Sequence, residues 1–138
     1  MTVHVSFQKS LPFRIPEWIM SAMMLLWGWL VLISPTMFAD NVVFKGMVAI
    51  LPQHGWGAAA TLLGVAGLIG LGINGFWVAT PFIRALASFG RAFLWLQIEF
   101  GLLAAGSPTT GTAIYIGLVG LEMWNVYRAT GDARAATQ

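Results

Sequence analysis

Three ionisable residues interrupt long apolar stretches of this chain: Arg91, Glu99 and Glu122. A charge inside a segment able to enter lipid is costly, so these residues are the first candidates for chemistry. Arg91 and Glu122 have opposite signs. Glu122 lies six residues inward of Arg128, and Arg91 reaches a similar depth from Arg84 if their two helices form an antiparallel hairpin. That spacing predicts an intramembrane Arg91–Glu122 ion pair, helped by Asn125 and Asn74, in which the two charges neutralise one another. Glu99 has no basic residue at its depth. It is the candidate for a polar pathway, and its plainer alternative is solvation by the outer headgroup region beside the polar cluster at 107–112.

Little else in the sequence suggests a reaction. There is no cysteine, which removes thiol catalysis, disulfides and thiolate metal sites. His4 and His54 fall outside the apolar runs, so no intramembrane histidine is available to a haem or a metal. No G-x-S-x-G, H-E-x-x-H, phosphate loop or paired intramembrane aspartate occurs. The expectation is a non-catalytic protein with no catalytic residue, cofactor or metal site.

The elements that must position the three charges follow from composition. Of 138 residues, 58% are hydrophobic and only 9% are charged. A soluble domain of this size has too little interior to hide so much apolar surface. A soluble enzyme, a disordered chain and a nucleic-acid binder are therefore excluded, and the seven Lys/Arg are too scattered to form a basic face. A membrane helix needs about 20 mostly apolar residues. Four segments qualify, at about 16–34, 55–75, 81–105 and 109–127. Pro16 and Pro81 suit first helical turns, with Glu17 favourable at a helix N-terminus, and Thr80 suits an N-cap. Pro108 keeps the last connection short. The first apolar run is too long for the core of a signal peptide, and Met37 and Ala39 make a poor cleavage site, so it is expected to remain as a span. The predicted fold is an all-α membrane bundle of four antiparallel transmembrane helices, a single integral membrane domain over 1–138.

Orientation follows from Lys and Arg near the span ends. Lys9, Arg14, Arg84, Arg91, Arg128 and Arg134 fall on one side and only Lys45 on the other. Both termini are then cytoplasmic, in a multi-pass protein of the bacterial inner membrane. The first outer loop holds a short amphipathic helix at about 40–51. Asp40 is its expected cap, and Phe44, Met47, Val48 and Leu51 form an apolar stripe at i, i+3, i+4, i+7. A stripe of this width reads as a lid on the helix ends.

Small residues at four-residue spacing predict where helices approach closely. The candidates are Ala60, Gly64, Gly67 and Gly70 in the second span and Ala113 and Gly117 in the fourth. Packing within the bundle is the expectation, and homo-oligomerisation or docking of another membrane protein the alternative. Trp18, Trp56, Trp77, Tyr115, Trp124 and Tyr127 are expected at the two membrane boundaries as interface anchors.

A spaced series of residues also carries a likeness: Pro16-Glu17-Trp18, Trp27-Gly28, Pro35 with Phe38, Trp56-Gly57, Asn74-Gly75, Pro81 with Arg84, Tyr115, and Asn125 to Arg128. The chain resembles, over residues 16–132, small four-helix membrane proteins of tailed bacteriophages and proteobacterial prophages. The resemblance implies origin and topology more than mechanism. Three functions are compatible with these features. The first is an interaction, exclusion or accessory membrane subunit, partnered by the bilayer and by another membrane protein or a second copy. The second is a holin-like lesion or channel former. The third is a small transporter using Glu99. The first needs the fewest additional features.

Overall fold

The computed structural model describes residues 3–73, 76–106 and 109–137, with side chains from Arg14 onward. Among the described residues all regular structure is helical. Four helices are long: α1 (Val3–Ile33), α3 (Gln53–Gly72), α4 (Thr80–Ala104) and α5 (Thr110–Ala136). A 3-10 turn at Val42–Phe44 and the short α2 (Lys45–Ile50) fill the connection between α1 and α3. The stretches Arg14–Ile33 and Gln53–Gly72 are each long and apolar enough to cross a membrane. Neither α4 nor α5 qualifies by that measure. Both carry charges within their apolar stretches.

Two boundaries depart from expectation, and both departures matter for the site. Pro16 does not open α1. The helix begins at Val3 and runs through Pro12 and Pro16, so Pro16 only removes one ladder bond, to the Pro12 carbonyl. At the other end of the chain, α5 continues past Tyr127 to Ala136. Its last turns are alanine-rich, which favours helix, and Ala129 and Ala133 are buried one turn apart. The expected caps also shift. Ala79 is the N-cap of α4, and Thr80 is its first residue, with its hydroxyl donating to the Trp77 carbonyl. Asn41, not Asp40, caps the 3-10 turn by accepting from the Val43 N–H at 3.0 Å. In the stripe that follows, Phe44 and Met47 are buried while Val48 and Leu51 are exposed, so only half of it serves as a lid.

Helix α1 packs on α3, α3 on α4, and α4 on α5 in a hairpin, while α1 touches α5 and α4 least. The glycines of α3 make the first of these contacts possible. A Cβ at Gly64 would collide with the backbone of Leu25, and one at Gly57 with Val31 and Leu32. Gly28 of α1 returns the relationship, lying against the backbone of Thr61. Such approach lets two helices gain dispersion energy along their backbones.

The apolar core lies toward the α1–α3 connection. Met24, Val31, Phe38, Phe44, Met47, Trp56, Leu94, Trp95 and Ile98 form one buried cluster. Phe38 stacks on Phe44 at 4.3 Å and 10°, and Trp27 meets Trp95 edge-on at 6.1 Å. Gln53 holds the chain reversal together. Its Nε2 donates to the Val31 carbonyl at 2.9 Å and to the Ser34 carbonyl, and its Oε1 accepts from the Phe38 N–H at 2.9 Å. One amide thus satisfies carbonyls that the end of α1 leaves open.

Candidate functional site

Helix α4 carries its polar residues on its inner face. Arg84, Ser88, Arg91, Trp95 and Glu99 follow one another at i, i+4, i+7, i+11 and i+15, and all five are buried. At 1.5 Å per residue this column is about 22 Å long. The outer face of the same helix is Phe82, Leu86, Phe89, Phe93 and Phe100, all exposed. The polarity of α4 is therefore the inverse of that of a helix on a soluble domain.

The column has three levels. At the first, Arg84 donates through Nε to Glu17 Oε2 at 2.8 Å and through Nη2 to Glu17 Oε1 at 2.6 Å. This is the two-pronged arrangement in which guanidinium and carboxylate match in shape. Its Nη1 donates to Asp132 Oδ2 at 2.9 Å, and Arg14 Nη2 reaches the same oxygen at 3.2 Å. Two arginines thus face two carboxylates, drawn from α1, α4 and α5. Asp132 is the most exposed member, with 41% of its side chain open, and Arg84 and Glu17 are sealed beneath it.

At the second level, Arg91 Nε donates to Glu122 Oε1 at 2.5 Å and Nη2 to Glu122 Oε2 at 3.0 Å. Nη2 also donates to Ser88 Oγ at 2.8 Å, and Asn125 Nδ2 donates to Glu122 Oε2 at 3.3 Å. Arg91 and Glu122 meet as their spacing suggested, with Asn125 beside them, while Asn74 lies outside the described residues. Gly67 of α3 lies directly against this level. A Cβ there would collide with Ser21 Oγ and Arg91 Nη1. Gly70 stands against Arg84 Cγ in the same way, at 3.1 Å from an ideal Cβ.

At the third level stands Glu99, 3% exposed, with neither carboxyl oxygen hydrogen-bonded among the described residues. Solvation by an outer polar layer does not describe it, because the helix turns it inward with Trp95 and Ile98. It stands apart from the Arg91–Glu122 pair, two helical turns further along α4. Among the described residues no group of three or more His, Asp or Glu side chains is placed to hold a metal.

Sequence reasoning missed the first level. Glu17 is expected only at a helix N-terminus, and Asp132 falls outside the fourth span expected at 109–127, whereas α1 begins earlier and α5 ends later. The available signal was the seven-residue spacing of Arg84 and Arg91, which puts both on one helix face.

Other expected positions divide. Ala60, Gly64, Gly67 and Gly70 are buried in packing within the chain. Ala113 and Gly117 are not: both are exposed, and a Cβ at Gly117 or Gly120 would meet nothing within 4 Å. Trp77, Trp124 and Tyr127 are exposed and Trp18 is partly so, as boundary residues would be. Trp56 is not a boundary residue. It is buried in the core, where its Nε1 donates to the Met47 carbonyl at 2.7 Å. Tyr115 is partly buried against Trp95, with ring centroids 5.9 Å apart.

No protein-family model, no curated protein and no solved structure matches this chain.

Proposed function

We propose that the chain is an integral membrane protein that crosses the bilayer four times with both termini cytoplasmic. In that setting it acts as a non-catalytic interaction or accessory subunit. The observation that carries this reading is the inverted polarity of α4. Its two arginines are paired toward the other helices and its phenylalanines face outward. In water that arrangement would expose a long apolar stripe on a small protein. In lipid it is the expected one, because unpaired charge is excluded and apolar side chains are not. Pairing within the first two levels supports admitting α4 and α5 as spans beside the two that are apolar throughout.

The same pairing argues for a closed structural body in preference to a pore. Arg14 and Arg84 face Glu17 and Asp132, and Arg91 faces Glu122, so the described interior offers no string of like charges to an ion. A face of α5 with Ala113, Gly117 and Gly120 remains uncovered by this chain, and there a partner helix approaches closest. Superinfection exclusion, or service to a larger membrane assembly, is the setting we propose for such a subunit.

Induced expression in bacteria with a membrane-potential dye, combined with crosslinking in native membranes, tests the reading. The expected result is steady growth, retained potential and a crosslinked partner. Abrupt dye entry with growth arrest would instead identify a lesion former. Recovery of monomer and lipid alone would remove the interaction role.

A further inference from the structure

Helices α4 and α5 leave a notch of about 330 Å³ where α4 begins and α5 ends, within the roughly 300–1,000 Å³ typical of small-molecule sites. Phe82 and Ala85 of α4 line one side, and Thr130, Ala133, Arg134 and Thr137 of α5 the other. Arg134 is exposed, and among the described residues it has no carboxylate partner. Asp132, two residues away, points around the helix to Arg84 and Arg14. The N-terminus of α4 stands beside the C-terminus of α5, so their dipoles oppose one another and Arg134 sets the sign of the notch. Unlike the arginines of the inner column, this cation is open to an anion from outside.

The two threonines restrict which anion fits. Thr130 Oγ1 donates to the Val126 and Tyr127 carbonyls at 2.9 and 2.8 Å, and Thr137 Oγ1 to the Ala133 and Arg134 carbonyls at 3.3 and 3.0 Å. Each hydroxyl hydrogen is thus spent on its own helix, and the oxygens offer lone pairs to an occupant. The fitting occupant brings a negative charge for Arg134 and hydroxyl donors for the threonines. Phe82 also begins the outer face of α4, where Phe82, Leu86, Phe89 and Phe93 are exposed at i, i+4, i+7 and i+11. At 1.5 Å per residue that stripe is about 16 Å long, close to half of a hydrocarbon core of about 30 Å. A charged notch that continues into an apolar stripe one leaflet deep matches a single lipid. We infer that the notch binds the headgroup of an anionic phospholipid of the phosphatidylglycerol type, with one acyl chain along the phenylalanine stripe. This inference rests on the chain spanning the bilayer.

The test uses the full chain in neutral maltoside micelles, titrated with dioleoyl phosphatidylglycerol and followed by native mass spectrometry. The expected result is one saturable lipid adduct whose affinity falls about 5-fold in Arg134→Gln, the share of one arginine facing an anionic lipid. Arg134 is exposed, so the variant folds. Arg128→Gln removes the same charge from the same helix but outside the notch lining, and should bind as the wild type does. Equal affinities in the two variants, whether unchanged or reduced together, overturn the site in favour of diffuse charge attraction. Equal binding of phosphatidylcholine overturns the choice of an anion. Equal binding of phosphatidylmethanol, singly charged and without hydroxyls, overturns the role of the threonines. Equal occupancy by glycerol 1-phosphate, which has no acyl chain, overturns the lipid in favour of a soluble phosphate. No adduct on the wild-type chain overturns the site and leaves the spanning reading intact, whereas a chain that stays dissolved without detergent removes both.

Discussion

Arg84 and Glu17, 67 residues apart in sequence, are joined by two parallel hydrogen bonds at 2.6 and 2.8 Å where α1 faces α4, with both side chains sealed from solvent. Taking two charges out of water costs several kcal/mol per ion, and only close geometry with further hydrogen bonds offsets that. Here the offset comes from Asp132, which adds a second carboxylate to the arginine, and from Arg14, which balances Asp132. The four groups are a unit, and removing one leaves another buried and uncompensated.

Glu17→Ala should therefore destabilise the folded chain by about 3–5 kcal/mol, since it strands Arg84 without its principal partner. Asp132→Ala should cost less, because Asp132 is partly exposed and water replaces some of what is lost. Denaturant titration in detergent micelles measures both. Equal losses in the two variants would contradict the ranking.

The Arg91–Glu122 pair gives a sharper contrast. Arg91→Met alone leaves a buried carboxylate, and Glu122→Met alone leaves a buried guanidinium. Each should cost about 3–5 kcal/mol. The double variant Arg91→Met/Glu122→Met should recover most of that loss, because an apolar pair of similar volume is often as stable as a buried ion pair. A double variant as unstable as the sum of the singles would mean the two residues act independently.

Glycine substitutions should separate packed from open positions. Gly64→Leu forces α1 away from α3 at the Leu25 backbone, which cannot yield as a flexible side chain would. It should cost several kcal/mol or prevent folding, by overpacking. Gly120→Ala meets nothing within 4 Å and should be neutral or slightly stabilising, as helix propensity favours alanine over glycine by about 1 kcal/mol. Thermal unfolding of the two variants checks the pair of expectations.

Tryptophan environment offers a direct readout of the core. Trp56 is buried and bonded to the Met47 carbonyl, whereas Trp77 and Trp124 are exposed. In single-tryptophan variants, a water-soluble quencher should reach Trp77 and Trp124 several times more readily than Trp56. Equal quenching would place Trp56 at the boundary after all.

The helical class, the short loop helix and the Arg91–Glu122 contact were legible because each depends on local pattern: apolar length, caps and matching depth. The first charged level was not. Its visibility required knowing that α1 runs through Pro16 and that α5 continues to Ala136, and boundaries are set by tertiary partners more than by local signals. Glu17 lies inside α1 and bonds across to α4, and Asp132 lies inside α5 and does the same, so contacts distant in sequence fix where those helices run. Trp56 illustrates the same limit. An indole near a helix start suits a boundary, and local pattern does not show that α2 folds back to set the Met47 carbonyl against it. The small residues of α3 and α5 share one spacing, and only the packed neighbours distinguish those in use from those left open.

The absence of native cysteine makes one measurement decisive for the four-crossing arrangement. Single cysteines at the exposed positions Asp40, Ala105 and Thr137 are treated with a membrane-impermeant maleimide in intact spheroplasts. Asp40→Cys and Ala105→Cys should label at once, and Thr137→Cys only after lysis. Labelling of Thr137→Cys in intact spheroplasts, or release of the whole chain from membranes without detergent, would contradict four crossings with both ends inside.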